Sequence, residues 1–175
     1  MDLKSLIRTV PDYPKPGILF RDISTLLYNG KALKYITELY YNRYKDKGLN
    51  GIAGIEARGF IFGAILAEKL EIAFIPIRKK GKLPCKVYSE EYQLEYGTDT
   101  LEVDITAINK NDNILIIDDL IATGGTAIAT GNLINQFEAN IYEYAFLIDL
   151  PDLGGANKLR DKNYNVYSLM QFDGE

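Results

Sequence analysis

The sequence predicts an α/β fold with a central parallel sheet flanked by helices, on three observations. Short aliphatic runs, Ile52-Ala53-Gly54-Ile55, Ile72-Ala73-Phe74-Ile75-Pro76-Ile77 and Ile114-Leu115-Ile116-Ile117, have the composition of strands buried on both faces. Stretches with helical periodicity alternate with them, as right-handed crossovers between parallel strands require. Each run ends in charged, hydroxylic or glycine-rich residues, at the edge where open parallel sheets bind ligands. The 175 residues, 47% of them hydrophobic and 25% charged, suffice for one domain over 1–175 with a sizeable core.

In chain order, Leu3, Leu6, Ile7 and Val10 stand at helical spacing ahead of Pro11 and predict a short amphipathic helix. Pro11, Pro14, Pro16 and Gly17 then stiffen a loop. Such a loop can hold a flat ligand against its amides and Phe20 at little entropic cost, or it can be a connector whose Phe20 plugs the core. A helix over 30–44 places Leu33, Ile36, Tyr40 and Tyr44 on one face. Strand 52–55 leads through Glu56-Ala57-Arg58-Gly59 into a helix ending near residue 70. Gly54 and Gly59 have the spacing of a nucleotide-binding P-loop, but Phe60 occupies the place of its lysine, which excludes that class.

Strand 72–77 runs into Arg78-Lys79-Lys80-Gly81-Lys82, readable as a solvated rim or as an anion contact at the sheet edge. Residues from 83 to about 104 show no helical stripe, and Gly81 and Gly97 bracket most of them, the pattern of a flexible β-hairpin lid over about 81–104. A helix over about 126–137, a strand within 141–150, a loop at 151–155, a short helix at 157–161 and a strand at 165–169 complete the chain.

Composition removes several functions. A net charge of −4 gives no electrostatic reason to bind nucleic acid, and no apolar run approaches the roughly 18 residues of a membrane span. The first residues lack a secretory core, and the single Cys85 makes no internal disulfide, so a cytoplasmic location is expected. With no histidine at all, Ser-His-Asp and Cys-His nucleophilic machinery and histidine-ligated metals are excluded. The remaining chemistry belongs to carboxylates, cations, hydroxyls and backbone dipoles.

The most informative stretch is residues 114–126, whose aliphatic strand is followed by Asp118-Asp119-Leu120-Ile121-Ala122-Thr123-Gly124-Gly125-Thr126. Gly124 and Gly125 allow successive N–H groups to converge on one anion, and the positive end of the following helix adds attraction. Thr123 and Thr126 supply hydroxyls, while Asp118 and Asp119 are suited to vicinal sugar hydroxyls or a hydrated Mg²⁺. The combination fits a sugar phosphate, although a Gly-Gly turn after an Asp-terminated strand is also ordinary architecture.

This stretch resembles the phosphoribosyl pyrophosphate (PRPP) motif of the type I phosphoribosyltransferases. Pro14-Lys15-Pro16-Gly17-Ile18-Leu19-Phe20-Arg21-Asp22-Ile23, Glu56-Ala57-Arg58-Gly59-Phe60, Arg78-Lys79-Lys80-Gly81-Lys82-Leu83-Pro84 and Leu94-Glu95-Tyr96-Gly97 narrow the resemblance to the adenine phosphoribosyltransferases. The resemblance covers nearly the whole chain. It implies the type I phosphoribosyltransferase fold, with a small base-binding N-terminal hood over about 1–25. It implies transfer of phosphoribose from PRPP to adenine, giving AMP and pyrophosphate, with Mg²⁺ as cofactor and a homodimer as the assembly.

Residue by residue, the resemblance assigns the base to Phe20 and the backbone around Leu19 and Arg21. Pyrophosphate falls to Arg58, Arg78 and Lys82, the ribose to Asp118 and Asp119, and the 5′-phosphate to Ala122, Thr123, Gly124, Gly125 and Thr126 with Leu120 beside them. Glu95 becomes the catalytic carboxylate and Tyr96 its substrate-binding neighbour, although the sequence alone allows Glu95 a surface role beside Glu90 and Glu91. Mg²⁺ is expected on PRPP and water, near Asp118 and Asp119 rather than bound by the protein directly. A non-proline cis peptide is expected at Glu56-Ala57.

Three other readings compete. A transferase for 6-oxopurines or orotate is opposed by the base loop and by residues 94–97. A PRPP-sensing regulator without turnover would carry a DNA-binding domain or basic face, which length and charge do not show. An unrelated nucleotide-binding module is opposed by the presence of Glu95 with the cationic pair.

Overall fold

The computed structural model describes residues 1–94 and 97–174. A seven-stranded sheet forms its centre, in the order β5-β6-β4-β3-β7-β8-β9. The strands are β3 (Gly51–Ile55), β4 (Ala73–Lys79), β5 (Val87–Gln93), β6 (Thr98–Asp104), β7 (Asn113–Ile121), β8 (Asn140–Asp149) and β9 (Val166–Gln171). From β4 across to β9 the pairing is parallel, while β5 and β6 form an antiparallel hairpin joined to β4 through Arg78↔Glu102 and Lys79↔Leu101. The strands of the expected hairpin at 81–104 thus pair at the edge of the central sheet.

Parallel strands buried on both faces need two cores, and the side chains of β7 serve both. Leu115 and Ile117 pack with Ile36, Tyr40 and Leu66, from helices α2 (Gly30–Tyr44) and α3 (Arg58–Leu70). Ile114 and Ile116 pack with Leu133, Ile134 and Leu159, from α4 (Gly125–Asn135) and α5 (Gly155–Asp161). Asn29 caps α2 by accepting from the N–H groups of Lys31 and Ala32.

The N-terminal helix expected from Leu3, Leu6, Ile7 and Val10 is not formed. Lys4–Leu6 makes one 3₁₀ turn, and β1 (Arg8–Pro11) then pairs antiparallel with β2 (Leu19–Asp22), ahead of the short helix α1 (Ser24–Leu27). Leu3 and Ile7 reach the core from the single turn, whereas Thr9 and Val10 are β-branched, precede a proline and find partners in Arg21 and Phe20. Arg8 pairs with Asp22 across the ribbon. The Asp22 carboxyl lies at about 2, lowered chiefly by its hydrogen bonds with Ser24 and then by Arg8.

Candidate active site

The register of β7 explains why its acids face a cleft. Pairing with β3 ends at Gly54↔Ile117, whereas pairing with β8 continues to Ile121↔Asp149. Beyond Ile117 one side of β7 is open, and Asp118 and Asp119 stand there. They lie inside the strand, which runs to Ile121, and not at its end as the aliphatic run suggests. The chain leaves β3 through Glu56, bonded to Ala57 by a cis peptide as expected, and starts α3 at Arg58.

After β7 the chain turns at Gly124, which takes φ of +86° and caps the start of α4 without a side-chain hydrogen bond. The first N–H groups of α4 are left for a ligand. Gly124 also needs to be small: a Cβ there would come 3.0 Å from Gly155 Cα. The reverse contact is tighter, since a Cβ on Gly155 would lie 2.3 Å from Ala122 O and 2.7 Å from Gly124 N. Gly155 N–H donates to Ala122 O at 2.9 Å, and Lys158 Nζ donates to Thr123 O at 3.0 Å. The cradle is thus backed by the start of α5.

Two adjoining cavities meet on this cradle. One, of about 330 Å³, is lined by Glu56, Arg58, Asp118, Asp119, Leu120 and Ala122 to Thr126, with Tyr92 and Leu94 from the hairpin. The other, of about 620 Å³, is bounded by Leu19, Phe20, Arg21, Arg58, Leu120, Ala122, Thr123, Gly125 and Thr126. Tyr92, Leu94, Leu150, Leu153 and Lys158 complete it. Phe20 is therefore a wall of the cleft and not a plug in the core. Tyr13 meets its ring edge-on at 5.2 Å, and Arg58 Cζ lies 5.9 Å from its centroid.

The charges are arranged as pairs. Arg58 Nε lies 2.8 Å from Asp119 Oδ2, and the Asp119 side chain is only 4% exposed. Arg78 and Lys82 line neither cavity; both are bound to Glu56, through Arg78 Nε to Oε2 at 3.1 Å and Lys82 Nζ to Oε1 at 3.1 Å. Lys79 N–H donates to Glu56 Oε2 at 2.7 Å. Burial pushes the Glu56 carboxyl up, but these three partners outweigh it and hold the group at about 2. Asp118 is raised well above the usual carboxylate range by burial and then by the charge of Asp119. Burial raises Asp119 too, against the opposing pull of Arg58.

Among the described residues no group of three or more His, Cys, Asp or Glu is placed to hold a metal ion. Two adjacent carboxylates suit a hydrated Mg²⁺ whose other oxygens come from a phosphorylated substrate.

The phosphoribosyl transferase domain model matches residues 22–172. This chain belongs to that family. The adenine phosphoribosyltransferase of Colwellia psychrerythraea is 53% identical over 173 residues, covering 99% of this chain and 96% of the relative. The crystal structure of the adenine phosphoribosyltransferase from Thermoanaerobacter pseudethanolicus superposes with a TM-score of 0.92 at 42% identity, covering 98% of each chain. That of Saccharomyces cerevisiae, complexed with D-2,5-dideoxy-2,5-imino-altritol 1,6-bisphosphate and adenine, gives 0.91 at 38% identity over 97% of each. The chain accordingly has the mostly parallel fold of type I phosphoribosyltransferases, with a small antiparallel ribbon at its N-terminal side.

Of the residues that the family resemblance marks, the structure gathers Leu19, Phe20, Arg21, Arg58, Asp118, Asp119, Leu120 and Ala122 to Thr126 around the two cavities. Arg78 and Lys82 join through Glu56. Glu95 and Tyr96 lie outside the described residues. The resemblance put Glu56 in the pyrophosphate loop without a role for its side chain, and sequence reasoning gave no role to Tyr92, Leu153, Gly155 or Lys158. A signal for Gly155 existed: Gly154-Gly155 is a second glycine pair just after a parallel strand, at the edge where Gly124-Gly125 already sits.

Proposed function

We propose that this phosphoribosyl transferase family member moves the 5-phosphoribosyl group of PRPP to adenine, releasing pyrophosphate and forming AMP, the purine-salvage reaction. The observation that carries this reading is the junction, on the anion cradle Ala122 to Thr126, of a cavity bounded by the Asp118-Asp119 pair with a ring-lined pocket beneath Leu19 and Phe20, the two sharing Arg58 and Leu120. A flat base and a phosphorylated sugar fit the two halves. Residues 1–175 act as one transferase domain, with a hood over about 1–25 and a lid over about 81–104.

In this reading the backbone N–H groups at the start of α4 and the hydroxyls of Thr123 and Thr126 hold the 5′-phosphate. Asp118 and Asp119 accept from the ribose hydroxyls, directly or through water. Adenine lies on Phe20, and backbone groups around Leu19 and Arg21 read its hydrogen-bonding edge. Loss of pyrophosphate leaves an electron-poor, oxocarbenium-like C1′, so the transition state separates charge. Arg58, Arg78 and Lys82 stabilise the departing anion. Mg²⁺ bound with PRPP supplies further charge neutralisation there. Purine N9 attacks with the imidazole proton on N7, and Glu95 accepts that proton as the bond to C1′ forms.

Among the described residues no helix is long and apolar enough to cross a membrane. The family resemblance supports a cytoplasmic homodimer acting on small molecules and not on nucleic acid.

AMP formation from PRPP and radiolabelled adenine with Mg²⁺, run beside hypoxanthine, guanine and orotate, tests the proposal. Turnover with adenine alone is expected. Binding of PRPP without turnover on any base would make the chain a sensor, and turnover on a different base would overturn the assignment of the Phe20 pocket.

A further inference from the structure

The β1–β2 ribbon carries Leu19, Phe20 and Arg21 but shares no strand pairing with the seven-stranded sheet. Its position over the cleft depends on side-chain and loop contacts, and a set of these comes from Phe172 to Gly174, just after β9. Phe172 N–H donates to Asp149 O at 3.1 Å, fixing the segment to the end of β8. The half-buried Phe172 ring carries two cations, Arg21 Cζ at 4.7 Å and Lys4 Nζ at 5.4 Å from its centroid. Arg21 Nη2 donates to Asp173 O at 2.9 Å, while its Nη1 donates to Thr9 Oγ1 at 2.7 Å.

The same segment reaches the opposite wall. Gly174 N–H donates to Asp152 Oδ2 at 2.8 Å, and Asp152 precedes Leu153, which lines the cavity together with Leu19 and Phe20. Gly174 has φ of +85°, and a Cβ on it would stand 3.6 Å from Leu19 Cδ1, so the backbone passes directly over the base-facing strand. Arg21 is thereby held from both sides, by β1 and by the segment after β9.

We propose that Phe172 and Asp152 are positioning residues for the nucleobase: through the Phe172–Gly174 strap they set the gap between the Leu19–Arg21 strand and the Leu153 loop, and so the fit of a flat purine. This rests on the adenine reading above. Among the described residues the strap's hydrogen bonds run to Asp149, Arg21 and Asp152 and none runs to the Asp118-Asp119 pair or the anion cradle, so its loss should weaken the base and spare the sugar phosphate. A misplacement of about an ångström in a ligand wall is enough to cost tenfold or more in productive binding.

Steady-state kinetics of Phe172→Ala, Phe172→Tyr and Asp152→Ala, each with both substrates varied and with thermal melting, test this. Phe172→Ala and Asp152→Ala should each raise KM for adenine by about tenfold while KM for PRPP stays within about twofold, and Phe172→Tyr, which keeps the ring, should restore the wild-type value. Asp152 is exposed, so Asp152→Ala reports even where Phe172→Ala fails to fold. An unchanged KM for adenine in the folded variants, or equal rises for both substrates, would overturn the strap alone. A wild-type protein that binds PRPP but does not turn over adenine would overturn the base assignment and the strap with it.

Discussion

Glu56 and Lys82 form a 3.1 Å ion pair at the proposed pyrophosphate end of the cleft, and the second oxygen of the same carboxylate takes Arg78 Nε and the Lys79 N–H. One carboxylate just past a strand end thus organises two of the three cations, Arg78 and Lys82, that the family resemblance marks as anion ligands. The Glu56 side chain is 10% exposed, against 53% for Lys82, so the acid is the fixed partner and the lysine the movable one. In the proposed reading, the pyrophosphate group of PRPP meets cations that Glu56 has already gathered.

Glu56→Gln should lower kcat/KM for PRPP by about tenfold, because the amide still accepts from Lys79 but no longer orients two cations. The pH dependence gives an independent check. Because its partners hold the Glu56 carboxyl at about 2, below its ordinary 4.5, its contribution to stability is complete above pH 4.5 and disappears as pH falls toward 2. Urea midpoints of the wild type and Glu56→Gln should therefore differ most above pH 4.5 and converge in acid. Parallel curves down to pH 2 would show that Glu56 is not ionised in the native pair.

Much of this arrangement was readable in order along the chain, and the exceptions have a common cause. The strand, acids and glycines of 114–126 are consecutive, so their joint chemistry is visible without a fold. The start of the ribbon, residues 8–10, reads as the end of a helix because the spacing of Leu3, Leu6, Ile7 and Val10 is local, whereas the pairing of Val10 with Phe20 that overrides it is not. Glu56 as an anchor, Gly155 as a backstop and Phe172 as a strap depend on neighbours distant in sequence. Of the three only Gly155 leaves a local trace, the glycine pair that follows a parallel strand.

Gly155 offers the sharpest steric test. A methyl group there would stand 2.3 Å from Ala122 O and 2.7 Å from Gly124 N, both backbone atoms that move only by displacing the cradle. Gly155→Ala should raise KM for PRPP at least about tenfold and lower stability by about 1–3 kcal/mol. PRPP saturation kinetics with a melting curve would decide, and unchanged PRPP kinetics would show that the cradle is not held from behind by α5.

For Glu95, Glu95→Gln should retain PRPP binding while turnover falls by roughly two or more orders of magnitude, the size of a general-base contribution. Binding measured by calorimetry beside single-turnover rates separates the two. Equal losses in both would give Glu95 a structural role.

Asp118 should show function purchased at the expense of stability. Burial and the neighbouring charge of Asp119 raise its carboxyl, so ionising it in the native state costs stability. The sign follows: its contribution is greatest in acid and is lost as pH rises above the ordinary carboxylate range toward the raised native value. Asp118→Asn removes that penalty while keeping shape, so the melting temperature at pH 7–8 should be unchanged or higher than that of the wild type. The same change deletes an acceptor for the ribose hydroxyls or for Mg²⁺-bound water, and KM for PRPP should rise about tenfold or more. A variant that loses both stability and PRPP affinity would instead make Asp118 a structural acid, ionised and satisfied by the protein itself.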